Sequence, residues 1–437
     1  MIRRWMVATA AILAALAATG AASAAERFVA AWAASAHGPY PVGNPTAQPE
    51  LKLAFPDPAA GARDQSLRMV VTPGIWGKQA RIRLSNAFGK RDVTFDGAFV
   101  GLHLASGAVM AGTNRRVTFG AKDSVTVKPG QSVVSDPVAL TFVKRTADPL
   151  LAGRRLAVSF HVAGESGPMT WHAKALATSY LTAPGAGAKG GEEGEGAFPF
   201  STTSWYFLDA VEMLAPATTR VVVAFGDSIT DGTASTINGD DRWPDVLARR
   251  LRAEYGQLWV VVNAGIGGNR IAGPANYYDS PIGGGPSALE RMKRDVISLP
   301  GVASVVWLEG INDFGSGAAL EPVVQGVRDG VAALRAGIPK LRVVMGTLTG
   351  ARNSTATHGT AEVEAKRQAF NNFVRNAGIF DGVVDFDAAT FDAATGELKA
   401  EMQPNSSTGG PGDKLHPNRA GYAAMAAAID LKLITGK

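Results

Sequence analysis

The chain of 437 residues contains no cysteine, which excludes disulfides, thiolate nucleophiles and cysteine-based zinc or iron–sulfur sites. Charge of one sign is also missing: 43 Lys+Arg against 38 Asp+Glu leave a net +5, too weak a balance to imply a nucleic-acid partner. Histidine is scarce, with six in all, and the spacing of His103, His161 and His172 shows no ligand pattern, so no metal is expected. Beyond the N-terminus no apolar run approaches the roughly 20 residues of a membrane span. There is no internal repeat, and the low-complexity tract Gly185–Gly196 (GAGAKGGEEGEG) is expected to be a flexible surface loop without chemical role.

What is present begins with a leader. Arg3 and Arg4 precede the apolar stretch Met6–Ala22, and Ala22-Ser23-Ala24 supplies small residues for cleavage. This is the pattern of a secretory signal peptide over residues 1–24, so an exported, periplasmic or extracellular protein is expected. A chain of this length predicts two domains.

From 26 to 216 the texture is short apolar runs between Gly, Asp, Asn and Pro: Leu67–Val71, Ala80–Leu84, Val93–Val100, Arg115–Phe119, Ser132–Val143 and Arg155–Val162. Several alternate with period two, which predicts an antiparallel β-sandwich or jelly-roll-like domain. From 218 to 437 the texture changes to α/β. Strands are expected at Arg220–Phe225, Leu258–Asn263, Ala303–Leu308, Leu341–Thr347 and Gly382–Phe386. Helices are expected at Trp243–Glu254, Pro286–Ile297, Glu321–Ala336, Thr360–Asn376 and Asn418–Leu433. Buried strands alternating with helices predict a parallel sheet covered on both faces, with function at its carboxyl edge.

Four segments place chemistry at that edge. Ser228 follows the first strand in Gly226-Asp227-Ser228-Ile229-Thr230; a serine there is commonly a helix N-cap, and the alternative use is a nucleophile. After the second strand, Gly265-Ile266-Gly267-Gly268-Asn269 can turn backbone N–H groups into a cleft. Arg270 stands where the last glycine of a dinucleotide loop belongs. Glu309-Gly310-Ile311-Asn312-Asp313 brings an amide, and Asp413-Lys414-Leu415-His416 brings an acid three residues before a histidine. Serine catalysis needs a base, an acid to orient it and donors for the oxyanion, and each has a candidate here: His416, Asp413, and the N–H groups of Ser228, Gly268 and Asn312.

These four blocks, in this order, resemble the GDSL or SGNH hydrolases. The resemblance implies a flavodoxin-like three-layer α/β/α domain, serine esterase chemistry and no cofactor. It makes Ser228 the nucleophile, His416 the base supported by Asp413, and Ser228, Gly268 and Asn312 the oxyanion hole. Ile229-Thr230 replaces the Leu-Ser of the family's name, and Gly267 competes with Gly268 for the oxyanion position. The resemblance begins near Arg220.

An exported serine esterase acting on short acyl groups, acetyl above all, of a carbohydrate is therefore expected. A short-chain aryl or alkyl carboxylesterase or lipase-like acylhydrolase is the alternative within the class, and a non-catalytic polysaccharide-binding protein is the alternative outside it. Trp76, Trp171 and Trp205 are candidates for sugar stacking or for core, and His172 for the cleft or for packing. The insertions Ile271–Gly285 and Gly350–Gly359 follow strand ends and are expected to line the cleft.

Overall fold

The computed structural model describes residues 25–436, so the expected leader, residues 1–24, lies outside the described residues. The first half is antiparallel throughout. Glu26–Ala33, Leu208–Pro216, Gln79–Ser85 and Val138–Ala139 follow one another in a five-stranded sheet, with Ser132–Val134 also on Gln79–Ser85. Phe200–Thr202, Ser179–Leu181, Arg63–Val71, Leu156–Glu165, Val93–Ala105 and Ala108–Val109 form the path of an eight-stranded sheet. Glu26 pairs with Pro216, so the two ends of this half close on each other.

The strand patterns have physical partners. Arg81 and Arg83, on one face of their strand, meet acids of the neighbouring strand: Arg81 pairs with Glu212, and Arg83 Nε lies 2.6 Å from Asp209 Oδ1. The run expected at Ser132–Val143 divides into Ser132–Val134 and Val138–Ala139. Pro137 has no N–H for a ladder, and the Asp136 carboxylate instead accepts the N–H groups of Gly120 and Ala121.

Leu156–Glu165 alternates in sequence, yet Ala157, Ser159 and His161 are as buried as Leu156, Val158, Phe160 and Val162. The glycine-rich tract accounts for this and departs from the expected flexible loop. It folds down on that sheet: Ser66 Oγ donates to Gly187 O at 2.9 Å, and the buried Arg68 guanidinium donates to the carbonyls of Gly107, Gly190 and Glu192. A side chain at Gly190 would strike Gly97 O, so absence of side chains permits the close approach.

The second half carries a parallel five-stranded sheet: Arg220–Gly226, Trp259–Gly265, Val302–Leu308, Arg342–Gly346 and Gly382–Val384. Numbered along the chain, their order in the sheet is 2-1-3-4-5, the flavodoxin-like order. The order reverses around the first strand, which opens a crevice at the carboxyl ends of strands one and three. Val221, Val222, Val223, Ala224 and Phe225 are fully buried, as a strand covered on both faces requires.

The helix expected at Asn418–Leu433 is two helices, Arg419–Ala428 and Leu431–Thr435, because Ile429 is extended and Asp430 caps the second by accepting the Lys432 N–H. The two halves share one apolar cluster running from Val29 and Trp205 to Val221 and Val260. Backbone bonds cross between them, as from Ala30 N–H to Pro300 O at 2.9 Å.

Candidate active site

The first parallel strand ends at Gly226 and the four-residue helical turn Ser228–Asp231 follows at once. Its N-cap is Asp227, whose side chain accepts the Ile229 N–H at 3.0 Å. Ser228 is therefore the first helical residue rather than the cap, and its hydroxyl is left for another partner. That partner is His416, with Nε2 2.8 Å from Ser228 Oγ.

The opposite ring nitrogen, His416 Nδ1, lies 2.6 Å from Asp413 Oδ2. Asp413 Oδ1 meanwhile accepts the backbone N–H groups of Leu415 at 3.0 Å and His416 at 2.9 Å, closing a tight turn in which Lys414 takes φ +60°. A carboxylate against Nδ1 places the proton there and leaves the Nε2 lone pair to the serine. Partial burial works against the charge of Asp413, but the hydrogen bond and charge of His416, with the two N–H donors, hold its pKa well below the carboxylate range.

Three donors converge on the same edge. Among the described residues the Ser228 N–H has no acceptor. In the loop after the second strand the Gly267 N–H is taken by Asp231 Oδ2 at 2.9 Å, whereas the Gly268 N–H has no acceptor among the described residues. Gly268 has φ +83°, and a Cβ there would stand 3.2 Å from Asn44 Nδ2. After the third strand, Gly310 at φ +133° turns the chain into Ile311–Gly315. Asn312 Nδ2 then donates one hydrogen to Asn269 O at 2.9 Å and keeps the other.

The loops are held by groups that the sequence did not single out. Arg291, fully buried, donates to Gly226 O at 2.8 Å, Ala264 O at 2.7 Å and Asn269 Oδ1 at 2.6 Å, so one guanidinium joins the carboxyl ends of strands one and two. Asp313 accepts the N–H groups of Ile271 and Ala272. From the first half, Asn44 Nδ2 donates to Gly267 O at 3.2 Å. The only signal for Arg291 was an arginine inside a helical pattern, and none existed for Asn44.

His172 does not reach the cleft as a free group. It is buried, with Nδ1 2.8 Å from Ser35 O and Nε2 3.0 Å from Asp231 Oδ1. Burial opposes its charge, but Asp231 and the two backbone carbonyls outweigh that and raise its pKa. Trp76, Trp171 and Trp205 are core, each N–H spent on a carbonyl: Leu151 O, Val42 O and Val70 O respectively. His103 and His161 have partners of their own, and no group of three His, Asp or Glu among the described residues is placed to hold a metal ion.

Beside Ser228 and Asn312 lies a second set of acids. Burial pushes the Asp227 carboxyl up to about 7, against the lowering by the Ile229 N–H. Burial likewise pushes Glu309 up to about 8, against the nearby Arg291. Glu309 Oε2 accepts the Trp307 indole N–H at 2.8 Å.

Residues 224–424 match the model of the GDSL-like lipase/acylhydrolase family. This part of the chain belongs to that family. The protein is accordingly a carboxylic-ester hydrolase. No curated protein matches the chain.

Among solved structures, the hydrolase is similar to a GDSL-like lipase from Bacteroides thetaiotaomicron at 18% identity, over 51% of this chain and 91% of that one, with a TM-score of 0.37. A carbohydrate acetylesterase family member from Sinorhizobium meliloti matches at 17% identity, over 50% of this chain and 100% of that one, with a TM-score of 0.38. A family two carbohydrate esterase from Clostridium thermocellum matches at 13% identity, over 94% of this chain and 99% of that one, with a TM-score of 0.37. Among its described residues the hydrolase has no helix long and apolar enough to cross a membrane.

Proposed function

We propose that the protein is an exported serine esterase that removes short acyl groups, acetyl above all, from a carbohydrate. One observation carries the chemistry: Ser228 Oγ, His416 and Asp413 form an unbroken hydrogen-bonded series at the carboxyl edge of the sheet. In this reading Ser228 Oγ attacks the ester carbonyl carbon while its proton passes to His416 Nε2, and Asp413 holds the imidazolium that forms. The carbonyl oxygen, now an oxyanion, is taken by the N–H groups of Ser228, Gly268 and Asn312. Collapse breaks the bond to the alcohol oxygen, which leaves with the proton from His416. Water then attacks the acyl-enzyme by the same route and frees the acid.

Gly268 is preferred to Gly267 as second donor because the Gly267 N–H is already spent on Asp231. The surroundings of the donors favour a small acyl group on a polar alcohol. Asn44 stands against Gly268, and His358 Nε2 lies 3.1 Å from Asn312 Oδ1, so a polar side chain borders each of these two donors. The division into a leader at 1–24, a β-sandwich or jelly-roll-like domain at 26–216 and a hydrolase domain at 218–437 belongs to the same proposal.

The test is hydrolysis of acetyl, butyryl and longer p-nitrophenyl esters by the mature protein beside Ser228→Ala, together with acetate release from acetylated xylan. Acetyl-selective turnover on both substrates, lost in the variant, is the expected result. Xylan binding with no hydrolysis of any ester, or equal turnover by the variant, would sink the proposal.

A further inference from the structure

His358 lies in the insertion after the fourth parallel strand, and nothing in the sequence marks it. Its Nε2 is 3.1 Å from Asn312 Oδ1, on the side of the amide opposite the Asn269 carbonyl that takes one Nδ2 hydrogen. A primary amide has two orientations of nearly equal shape, and only the hydrogen-bond partners choose between them. On the far side of the ring, Thr355 Oγ1 at 2.8 Å and Thr357 Oγ1 at 3.0 Å face Nδ1. Hydroxyls that donate to Nδ1 put the ring proton on Nε2, where it meets an acceptor.

Burial, followed by the neighbouring His416, lowers the pKa of His358 and keeps the ring neutral. The ring also has a seat. Gly315 has no positive φ that would call for glycine, yet a Cβ there would stand 2.6 Å from the His358 ring.

We propose that His358 is a positioning residue for the oxyanion hole: by donating Nε2–H to Asn312 Oδ1 it fixes the orientation of the amide, so that the free Nδ2–H points at the developing oxyanion. This rests on the reading of Ser228 and Asn312 given above. The mechanism requires no contact between His358 and the substrate. It makes the insertion Gly350–Gly359 part of the machinery through its effect on a residue of another loop. Gly315 is the counterpart, since its missing side chain leaves the space in which the ring lies.

The experiment compares His358→Ala, His358→Gln and Gly315→Ala in the wild-type and Asn312→Ala backgrounds, on p-nitrophenyl acetate. With the amide free to turn, His358→Ala is expected to lower kcat about 10-fold with KM within about twofold, the pattern of an interaction realised only in the transition state. Gly315→Ala, which displaces the ring without removing it, is expected to give the same split, and His358→Gln, which keeps an N–H donor, to recover part of the loss. In the Asn312→Ala background, His358→Ala is expected to change kcat by less than about twofold, because its action passes through the amide.

A raised KM with unchanged kcat would make His358 a substrate contact and overturn the proposal. An equal loss of kcat in both backgrounds would overturn it as well. If Ser228→Ala abolishes turnover and Asn312→Ala lowers it while all His358 and Gly315 variants in the wild-type background match wild type, this inference alone fails. Turnover persisting in Ser228→Ala would instead bring down the reading beneath it.

Discussion

Asp231 joins the two halves of the protein at the active site: one oxygen accepts the Gly267 N–H at 2.9 Å, and the other lies 3.0 Å from Nε2 of His172 in the antiparallel half. Both side chains of the pair are buried. Removing one member of such a pair leaves an uncompensated charge, at about 3–5 kcal/mol. Asp231→Ala is therefore expected to lower the unfolding free energy by about that amount and to lower kcat as well, because the Gly267–Gly268 loop loses its tether. Chemical denaturation and steady-state kinetics on the same variant check both. Because the His172 pKa is raised, the contribution of the pair is full below the ordinary imidazole pKa and fades as pH rises through the raised value.

Ser228→Ala is expected to abolish turnover, with a loss of at least about 10⁴-fold in kcat, while melting temperature stays near that of wild type. The hydroxyl caps nothing, since Asp227 is the cap, so its removal leaves the turn intact. A large fall in melting temperature would show that the serine is structural.

Asp413→Asn is expected to lower kcat by about 10²- to 10⁴-fold with KM little changed, because an amide offers a donor where His416 Nδ1–H needs an acceptor. Its two backbone bonds from Leu415 and His416 can persist through the side-chain oxygen, so the turn should survive. Circular dichroism beside the kinetics separates the two effects.

Asn312→Ala is expected to lower kcat by about 10²- to 10³-fold, the usual effect of removing one oxyanion donor. Gly268→Ala is expected to be impaired for a different reason: an alanine at φ +83° is strained, and its Cβ would crowd Asn44. Pairing Gly268→Ala with Asn44→Ala should recover activity if crowding dominates, and should not if the backbone conformation does.

The pH dependence of stability follows from Asp227 and Glu309. Their folded pKa values, raised by burial to about 7 and about 8, mean that the folded state holds protons the unfolded state has already lost. Stability should thus decline from the ordinary carboxylate range up to about those values, at roughly 1.4 kcal/mol per pH unit for each group. Glu309→Gln keeps an acceptor for the Trp307 indole and cannot ionise, so its melting temperature should fall less between about pH 5 and about pH 8 than that of wild type. Equal slopes in the two proteins would remove Glu309 from the explanation.

The residues that perform local tasks were legible in the sequence. An apolar run ending at Gly226-Asp227-Ser228 requires a buried strand that stops at a polar turn, and an acid three residues before His416 can reach its ring within one turn. The glycines at 268 and 310 permit conformations that few other residues adopt. Local geometry and the period of apolar residues are written in neighbouring positions, so they can be read from them.

What only the tertiary structure decided is contact between positions far apart. The sequence could not show that Arg291 would bind the ends of two strands, that His172 and Asn44 would come from the first half to brace a loop of the second, or that His358 would face Asn312. Nor could it show that the glycine-rich tract would lie down on a sheet instead of extending into solvent. A strand or turn follows from the steric and hydrophobic preferences of a few successive residues. Which buried donor meets which acceptor depends on how complete elements pack, because each such pair is set by the docking of surfaces contributed from distant parts of the chain.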